Sequence, residues 1–274
     1  MNITNRMNLP AALVSACRPY PPTPGRYSVT ELVGPAMLAR LRREHWDELE
    51  EDVADRLWAI MGSAMHGLLA EHGQADELTE ERLTLEMEGI TVSGRPDTYA
   101  DDGTLSDWKF TTVYSHGELK PEWTSQLNIY AHLLRAHGFP VERAQIIAIY
   151  RDWSRRHEAQ GIPHAAVIPV PLWAPAYADG YLLGRIEAHQ AATPPICLPD
   201  ERWERPTTFA VVKAGRKAAL RVLESLDAAQ AWKAENGGDR IEERLGECVR
   251  CMSYCPVRQF CEFGRRLAGG EETE

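Results

Sequence analysis

The sequence lacks any long hydrophobic run. No stretch approaches the roughly 18 to 20 consecutive apolar residues that a membrane-spanning helix requires. The first residues, MNITNRMNLPAAL, also lack the long apolar core of a secretory signal. We therefore expect a cytoplasmic protein with no membrane partner.

Positive charge is scarcer than negative charge. Lys and Arg together number 30 against 40 Asp and Glu, so the formal net charge is -10. This balance argues against a protein that coats nucleic acid through bulk positive charge. It leaves room for an enzyme with a local basic groove, because exposed charges act over only about 8 to 10 Å.

Cysteine is also sparse, but four of the 6 cysteines fall within the segment GECVRCMSYCPVRQFC. In a reducing compartment this C-x2-C-x3-C-x5-C spacing indicates a metal site rather than a disulfide framework. Four thiolates this close can surround one zinc ion or one [4Fe–4S] cluster, and the spacing does not choose between the two. The candidate ligands are Cys248, Cys251, Cys255 and Cys261. Cys17 and Cys197 stand alone.

Hydrophobic periodicity predicts an α/β protein with helices flanking a mixed central sheet. Ser28-Val-Thr-Glu31 is typical of a helix start and predicts one helix through MLARLRREHW. In a second helix, near 51–72, a buried apolar stripe leaves His66 on the opposite side. The remaining predicted elements are a meander at 83–88, 90–99 and 104–111, helices near 118–137 and 176–191, and strands at 144–150 and 165–173.

Changes in composition divide the chain into a core and appended segments. The predicted segments are an N-terminal extension 1–27, the core 28–200, a helical extension 201–240, a four-cysteine module 241–265 and a polar tail 266–274.

Two carboxylates and a lysine lie in the stretch GRPDTYADDGTLSDWKFTT. Residues two apart on a strand face the same way, so Asp107 and Lys109 share a face while Trp108 points to the other. Asp97 comes from the neighbouring strand. Pro96, which has no N–H to donate, is expected to loosen or end the pairing there.

Converging carboxylates repel each other unless a cation lies between them. Hard oxygen ligands with room for water and phosphate suit Mg²⁺ or Mn²⁺, and a nearby lysine can orient the attacking water or stabilise transition-state charge. The combination indicates metal-assisted phosphodiester hydrolysis. A bare D-x-K is more typical of a solvated cross-strand ion pair, so the surrounding motifs decide the interpretation.

Four motifs in order resemble the PD-(D/E)xK nucleases of the RecB type, whose members include AddB nuclease domains, CRISPR-adaptation nucleases and phage exonucleases. The resemblance extends from about Ser28 to Cys261 and implies a restriction-endonuclease-like core over 28–200. The matching stretches are Gly62-Ser-Ala-Met-His66, Gly94-Arg-Pro-Asp97, Asp107-Trp-Lys109 and Gln126-Leu-Asn-Ile-Tyr130.

The resemblance implies a role for each matching position. Lys109 becomes the catalytic lysine, acting with Asp97 and Asp107. Gln126 and Tyr130 either support the lysine or contact the DNA backbone, although Tyr130 also fits simple packing. The implied ligands of Mg²⁺ (or Mn²⁺) are His66, Asp97, Asp107 and the Trp108 carbonyl. Two further carboxylates within reach of the site are Glu86 and Glu88.

The cysteine segment departs from the family pattern. Many relatives hold an iron–sulfur cluster through one early and three late cysteines, whereas here Pro35 occupies the early position. We favour a structural [4Fe–4S] cluster, from the resemblance and from Cys255-Pro256, with Zn²⁺ close behind.

Phosphate contacts are expected from two basic groups, one formed by Arg151, Arg155 and Arg156, the other by Lys213, Arg216, Lys217 and Arg221. The second group is predicted to span a turn and a helix start. The tryptophans that could stack on single-stranded bases are Trp123, Trp153 and Trp203. No element that reads base identity is predicted.

Together these features predict an Mg-dependent deoxyribonuclease, an exonuclease working in recombination, repair or phage DNA metabolism in a prokaryotic or phage-infected cell. The expected partners are single- or double-stranded DNA ends and a helicase, recombinase or other DNA-processing protein. One alternative is a non-catalytic nucleic-acid-binding or scaffold protein with a structural zinc or iron–sulfur module. Another is a zinc-ribbon interaction protein with incidental hairpin charges.

Overall fold

A computed structural model describes residues 1–17, 19–74 and 77–269 of the chain. Its contacts divide the chain into two compact units, Met1–Pro195 and Ile196–Glu274. The division falls within the Pro-rich stretch that follows the last helix of the predicted core. Residues 270–274 of the predicted polar tail lie outside the described part.

The described residues of the first unit form seven helices and ten strands. The helices are α1 Ala11–Ala16, α2 Val29–Val33, α3 Ala36–Glu44, α4 Val53–Glu71, α5 Pro121–Ala136, α6 Arg155–Glu158 and α7 Pro175–Gln190. The strands are β1 Asn2–Thr4, β2 Arg26–Ser28, β3 Glu50–Asp52, β4 Glu77–Thr79, β5 Leu83–Met87, β6 Ile90–Gly94, β7 Thr98–Ala100, β8 Thr104–Thr111, β9 Arg143–Tyr150 and β10 Ala165–Val170.

Two sheets organise the first unit. A five-stranded sheet has the order β10-β9-β8-β7-β4, in which β8 and β9 are parallel and the other pairs antiparallel. A three-stranded sheet has the order β2-β6-β5, and β1 pairs with β3. This arrangement confirms the predicted mixed α/β fold of the restriction-endonuclease-like type.

Helix α5 lies at the centre of the hydrophobic core. Pro121 starts the helix, where its missing N–H costs no hydrogen bond. Leu127 and Leu134 are fully buried, and the helix contacts β5 of one sheet and β8 and β9 of the other. Because it is wedged between the sheets, α5 holds its polar residues at a fixed distance from β8.

Three details of the first unit differ from the prediction. The helix expected after Ser28 is broken at Gly34–Pro35, because proline cannot donate the helical hydrogen bond. The stripe expected to be buried on α4 is wrong, since Met61 and Leu68 are 47% and 52% exposed. The side of α4 that carries His66 faces strand β8 and Asp97 instead, so the apolar side of the helix points away from the five-stranded sheet.

The predicted meander is also divided. The expected strand 90–99 ends at Gly94, and β6 and β7 belong to different sheets. Pro96 lies in the break, as its missing N–H predicts. The result is two hairpins rather than one continuous meander, with Asp97 between them.

The second unit contains more strand than expected. Its described elements are β11 Glu204–Arg205, β12 Thr208–Val212, β13 Arg221–Leu223, β14 Arg240–Arg244, β15 Glu247–Cys248, α8 Leu226–Asn236 and α9 Glu262–Gly269. The prediction of a helical extension over 201–240 is therefore wrong for its first part. Strand Thr208–Val212, in which three of the five residues are β-branched, pairs with a distant strand, β14, and Gly215 turns the chain at φ +80°.

Two smaller expectations for this unit also fail. The basic residues from Lys213 to Lys217 lie in the turn after β12 rather than at a helix start. Residues 266–269 belong to α9 rather than to a polar tail. Among the described residues, no helix is long and apolar enough to cross a membrane.

Candidate active site

Four structural elements of the first unit bring the predicted site residues together. Helix α4 carries His66, and the break between β6 and β7 carries Asp97. Strand β8 carries Asp107 and Lys109, and α5 presents Gln126 towards the lysine. The site therefore forms where both sheets meet α4 and α5.

An imidazole and two carboxylates converge on one point. His66 Nδ1 lies 3.1 Å from Asp97 Oδ1 and 3.5 Å from Glu80 Oε1. One ligand atom from each of His66, Glu80 and Asp97 lies within 4.8 Å of the others. The second oxygen of Asp97 accepts a 2.7 Å hydrogen bond from the Trp108 N–H, which ties the carboxylate to β8.

Glu80 is the site residue that sequence reasoning missed. It follows β4 with a positive φ of 52°, and its N–H lies 3.2 Å from the carbonyl oxygens of both Pro96 and Asp97. Arg95 pairs with its carboxylate at 3.2 Å. No motif marks Glu80, because long-range backbone contacts bring it to Asp97.

The sequence had pointed to other carboxylates for this place. Glu86 instead accepts a 2.6 Å hydrogen bond from the Thr91 hydroxyl, its neighbour across the β5–β6 hairpin. The strand pairing thus directs Glu86 to a local partner.

Lys109 is held by two side chains. Its Nζ lies 2.6 Å from Asp107 Oδ2 and donates a 2.9 Å hydrogen bond to Gln126 Oε1. Gln126 Nε2 in turn donates to the Tyr130 hydroxyl at 3.1 Å, and Tyr130 is only 5% exposed. This chain fixes the amine beside Asp107, although Tyr130 is also part of the core.

Burial and hydrogen bonding shift the pKa values of three groups at the site. It raises the pKa of Asp107 to about 6, opposed by the neighbouring Lys109 charge and reinforced by Asp97. The hydrogen bond to Asp97 raises the pKa of His66, and burial opposes this increase. Burial also raises the pKa of Tyr130 to about 12, so its hydroxyl remains protonated at neutral pH.

The donor set fits a divalent cation. Asp97 and Asp107 are 7% and 1% exposed, a costly arrangement for two neighbouring carboxylates without a counter-charge. Asp107 Oδ2 has no directed hydrogen bond among the described residues, and its only close partner is the Lys109 amine. Oxygen donors with one imidazole are ligands that Mg²⁺ and Mn²⁺ accept.

The second unit brings together more thiols than the sequence indicated. Burial raises the pKa of Cys251 to about 11, and its electrostatic neighbours include Cys248, Cys255 and Cys261. Burial likewise raises the pKa of Cys197 to about 12, with Glu201, Cys251, Cys261 and Cys255 adding to the shift. The expectation that Cys197 stands alone is therefore wrong.

The cysteines of the second unit lie near one another but do not form a compact set of metal ligands among the described residues. All six are free thiols, and among the described residues no three of their sulfur atoms lie within 4.8 Å of one another. Cys248 Sγ lies 3.9 Å from Glu204 Oε2, a carboxylate that adds to the burial-driven rise in its pKa.

A paired acid and lysine on a mixed sheet, beside a histidine and two further carboxylates, are the features of a nuclease. The profile of the PD-(D/E)XK nuclease superfamily matches residues 27–262. The chain therefore belongs to the PD-(D/E)XK nuclease superfamily.

Solved structures with a similar fold include the crystal structure of SSO0001. It shares 20% identity, with 67% of this chain and 82% of that chain covered, at a TM-score of 0.46. An alkaline exonuclease from Laribacter hongkongensis, LHK-Exo, shares 12% identity, with 59% and 86% covered, at a TM-score of 0.36. No curated protein matches the chain.

Proposed function

We propose that this nuclease is a divalent-metal-dependent deoxyribonuclease, and that it acts as an exonuclease on DNA ends. The observation that carries the proposal is the convergence of His66, Glu80 and Asp97 within 4.8 Å. The Asp107–Lys109 ion pair beside them supplies the acid and amine of the superfamily motif. The resemblance to RecB-type members supports a role in recombination, repair or phage DNA metabolism, alongside a helicase or recombinase.

In this proposal, His66, Glu80 and Asp97 would hold one Mg²⁺ or Mn²⁺ ion, and Asp107, which lies outside this 4.8 Å group, is a further predicted ligand. The Trp108 carbonyl stays a predicted further ligand. When bound, the cation polarises the scissile phosphate and makes water more acidic at neutral pH. Asp97 is oriented for this task by the Trp108 N–H, whose hydrogen bond occupies its other oxygen.

Lys109 is the residue that acts on the reacting phosphate in this proposal. The contacts of its amine with Asp107 and Gln126 limit the positions that the amine can occupy. An amine held in this way can orient the attacking water and stabilise the negative charge that develops on the phosphate oxygens. Gln126 and Tyr130 position the lysine and do not need to contact the substrate.

Degradation of end-labelled linear DNA and closed circular DNA, in Mg²⁺, Mn²⁺ or EDTA, tests the proposal. We expect the wild type to degrade linear DNA only with a divalent cation, and Asp97→Asn to lose at least about 100-fold in rate. Asp101→Asn is the matched control, because Asp101 is an exposed aspartate in the turn between β7 and β8, a short distance along the chain from Asp97. Binding of DNA without degradation by the wild type would instead favour a non-catalytic scaffold.

We further propose that the thiols of the second unit hold a structural [4Fe–4S] cluster, or Zn²⁺. The support is the electrostatic proximity of Cys197, Cys251, Cys255 and Cys261, with Cys248 adjacent. Elemental analysis measures the iron and zinc content of the purified protein, and absorbance at about 400 nm identifies an iron–sulfur cluster. We expect Cys251→Ser to lose the metal and Cys17→Ser to retain it. Metal-free wild-type protein purified without oxygen would contradict this.

A further inference from the structure

An exposed tryptophan lies on the helix that carries His66. Trp58 is 55% exposed, although tryptophan usually contributes its large apolar surface to a core. The guanidinium of Arg151 lies over its ring, 4.4 Å from the centroid. Within the described residues Arg151 forms no ion pair, so its charge is not neutralised by a carboxylate. Ring and cation together are available to a ligand.

Strand β8, which carries Asp107 and Lys109, fixes the position of Arg151 and therefore of the ring that it covers. The Arg151 N–H donates a 2.9 Å hydrogen bond to the carbonyl of Thr111, the last residue of β8. Lys109 lies two residues earlier on the same strand. Trp58 and Arg151 therefore lie at the end of β8, just beyond the proposed nuclease site.

The spacing suits a nucleic acid strand. The eight residues from Trp58 to His66 span about 12 Å of helix axis. The four residues from Asp107 to Thr111 span about 13 Å of strand, which is consistent with α4 running alongside β8. At about 3.4 Å per stacked nucleotide, the tryptophan lies about three to four nucleotides from the candidate metal ligands.

A second exposed aromatic ring lies near the same end of β8. Tyr114 is 89% exposed in the short turn Val113–Ser115, directly after β8. The Val113 N–H donates a 2.7 Å hydrogen bond to Asp152 Oδ1. Because Asp152 follows Arg151 in sequence, this bond fixes the Tyr114 turn beside the loop that carries the arginine.

We propose that Trp58, Arg151 and Tyr114 form an aromatic platform that stacks on unpaired bases of a strand entering the nuclease site. This inference rests on the proposed deoxyribonuclease function and narrows its substrate class. The face of a base is accessible only where the base is not stacked inside a duplex, so the substrate is single-stranded DNA or a duplex end with a single-stranded tail. Stacking tolerates every base, and the arginine favours the neighbouring phosphates.

Binding measurements in EDTA test the platform without cleavage. The probes are a fluorescent oligo-dT and a blunt duplex of equal length. We expect Trp58→Ala to weaken binding of oligo-dT by about 5- to 100-fold, and Trp58→Phe to stay within about 3-fold of the wild type. Met61→Ala is the matched control, because Met61 is an apolar side chain on the same helix, 47% exposed. It should bind as the wild type does.

The same variants are then compared in Mg²⁺ for degradation of single-stranded and blunt duplex DNA. The platform predicts that Trp58→Ala loses activity mainly on the single strand, with an unchanged circular dichroism spectrum. Unchanged oligo-dT binding by Trp58→Ala, or equal losses on both substrates, would overturn it. A wild type that binds oligo-dT through Trp58 but degrades nothing would refute the nuclease function while leaving the platform in place.

Discussion

Lys109 and Glu80 differ in how well the sequence predicted their positions. The two-residue spacing of Asp107 and Lys109 on a strand predicts their shared face, and the structure places their charged atoms 2.6 Å apart. Glu80 has no such signal, because its position depends on hydrogen bonds to the break that contains Pro96 and Asp97. Sequence patterns thus identify neighbours along one element, whereas the candidate ligand Glu80 reaches the site through a contact between elements.

Replacement of Glu80 tests its role as a ligand. We expect Glu80→Gln to weaken Mn²⁺ binding, measured by calorimetry, by at least about 10-fold, since a charged oxygen donor is lost. The next residue offers a matched control, because Glu81 is exposed and Glu81→Gln should bind Mn²⁺ normally. Equal affinities for the wild type and Glu80→Gln would remove Glu80 from the site.

We expect His189 to contribute to a dependence of protein stability on pH. It is 2% exposed against Tyr27, and neither ring nitrogen has a hydrogen bond among the described residues. The nearby carbonyl oxygens of Leu32 and Gly34 accept from Arg185 instead. Burial lowers the pKa of His189, and the Arg185 charge lowers it further.

A lowered histidine pKa means that the unfolded chain binds more protons once the pH falls below about 6.5, so stability decreases towards acid. The raised pKa values of His66 and Asp107 act in the opposite direction, but equally in the wild type and in His189→Phe. We therefore expect the wild type to lose free energy of unfolding relative to His189→Phe in urea titrations at pH 7, 6 and 5. His189→Phe keeps an aromatic ring against Tyr27 and should fall less steeply. If the free energy of unfolding changes equally with pH in the two proteins, His189 does not contribute to the pH dependence.

Whole elements were predicted best where local pattern and burial agree. Helix α5 and strand β9 differ from the predicted bounds by a few residues, because each combines a clear period with a buried face. Strand β12 was missed because an alternative helical pattern was available locally, and because one of its two partners, β14, lies about 30 residues away in sequence. The break at Gly34–Pro35 was missed although the sequence contains its signal, since proline cannot continue a helix.

The packing of β6 against α5 gives a prediction about stability. A Cβ at Gly94 would lie 2.7 Å from Leu133 Cδ1 and 2.9 Å from Tyr130 Cε1, both in the core. We expect Gly94→Ala to lower the free energy of unfolding by about 1 to 3 kcal/mol, because neither side chain has room to move.

Gly184→Ala is the matched control for this measurement. Gly184 lies within α7, and a Cβ there would meet nothing within 4 Å. Removing a helical glycine should raise stability by up to about 1 kcal/mol. A stability for Gly94→Ala equal to or above that of the wild type, in the same denaturation assay, would contradict the described packing.

The molecule as a whole combines an acidic composition with a nuclease fold. Its net charge of -10 says little about the substrate, because contacts with phosphate depend on local groups such as Arg151 rather than on the sum. The family, the fold class and the order of the motifs were all readable from the sequence. The boundary at Pro195 and Ile196, and the proximity of Cys197 to the later cysteines, required the contacts of the folded chain.

The account depends above all on the chemistry of Lys109 beside the proposed cation. The decisive quantity is the single-turnover rate of linear DNA cleavage in Mg²⁺ for the wild type, Lys109→Ala and the control Lys233→Ala, which removes a half-buried lysine of α8 in the second unit. We predict that Lys109→Ala binds DNA and Mn²⁺ normally but cleaves at least about 100-fold more slowly, while the control cleaves at the wild-type rate. A Lys109→Ala rate equal to that of the wild type would contradict the proposed mechanism.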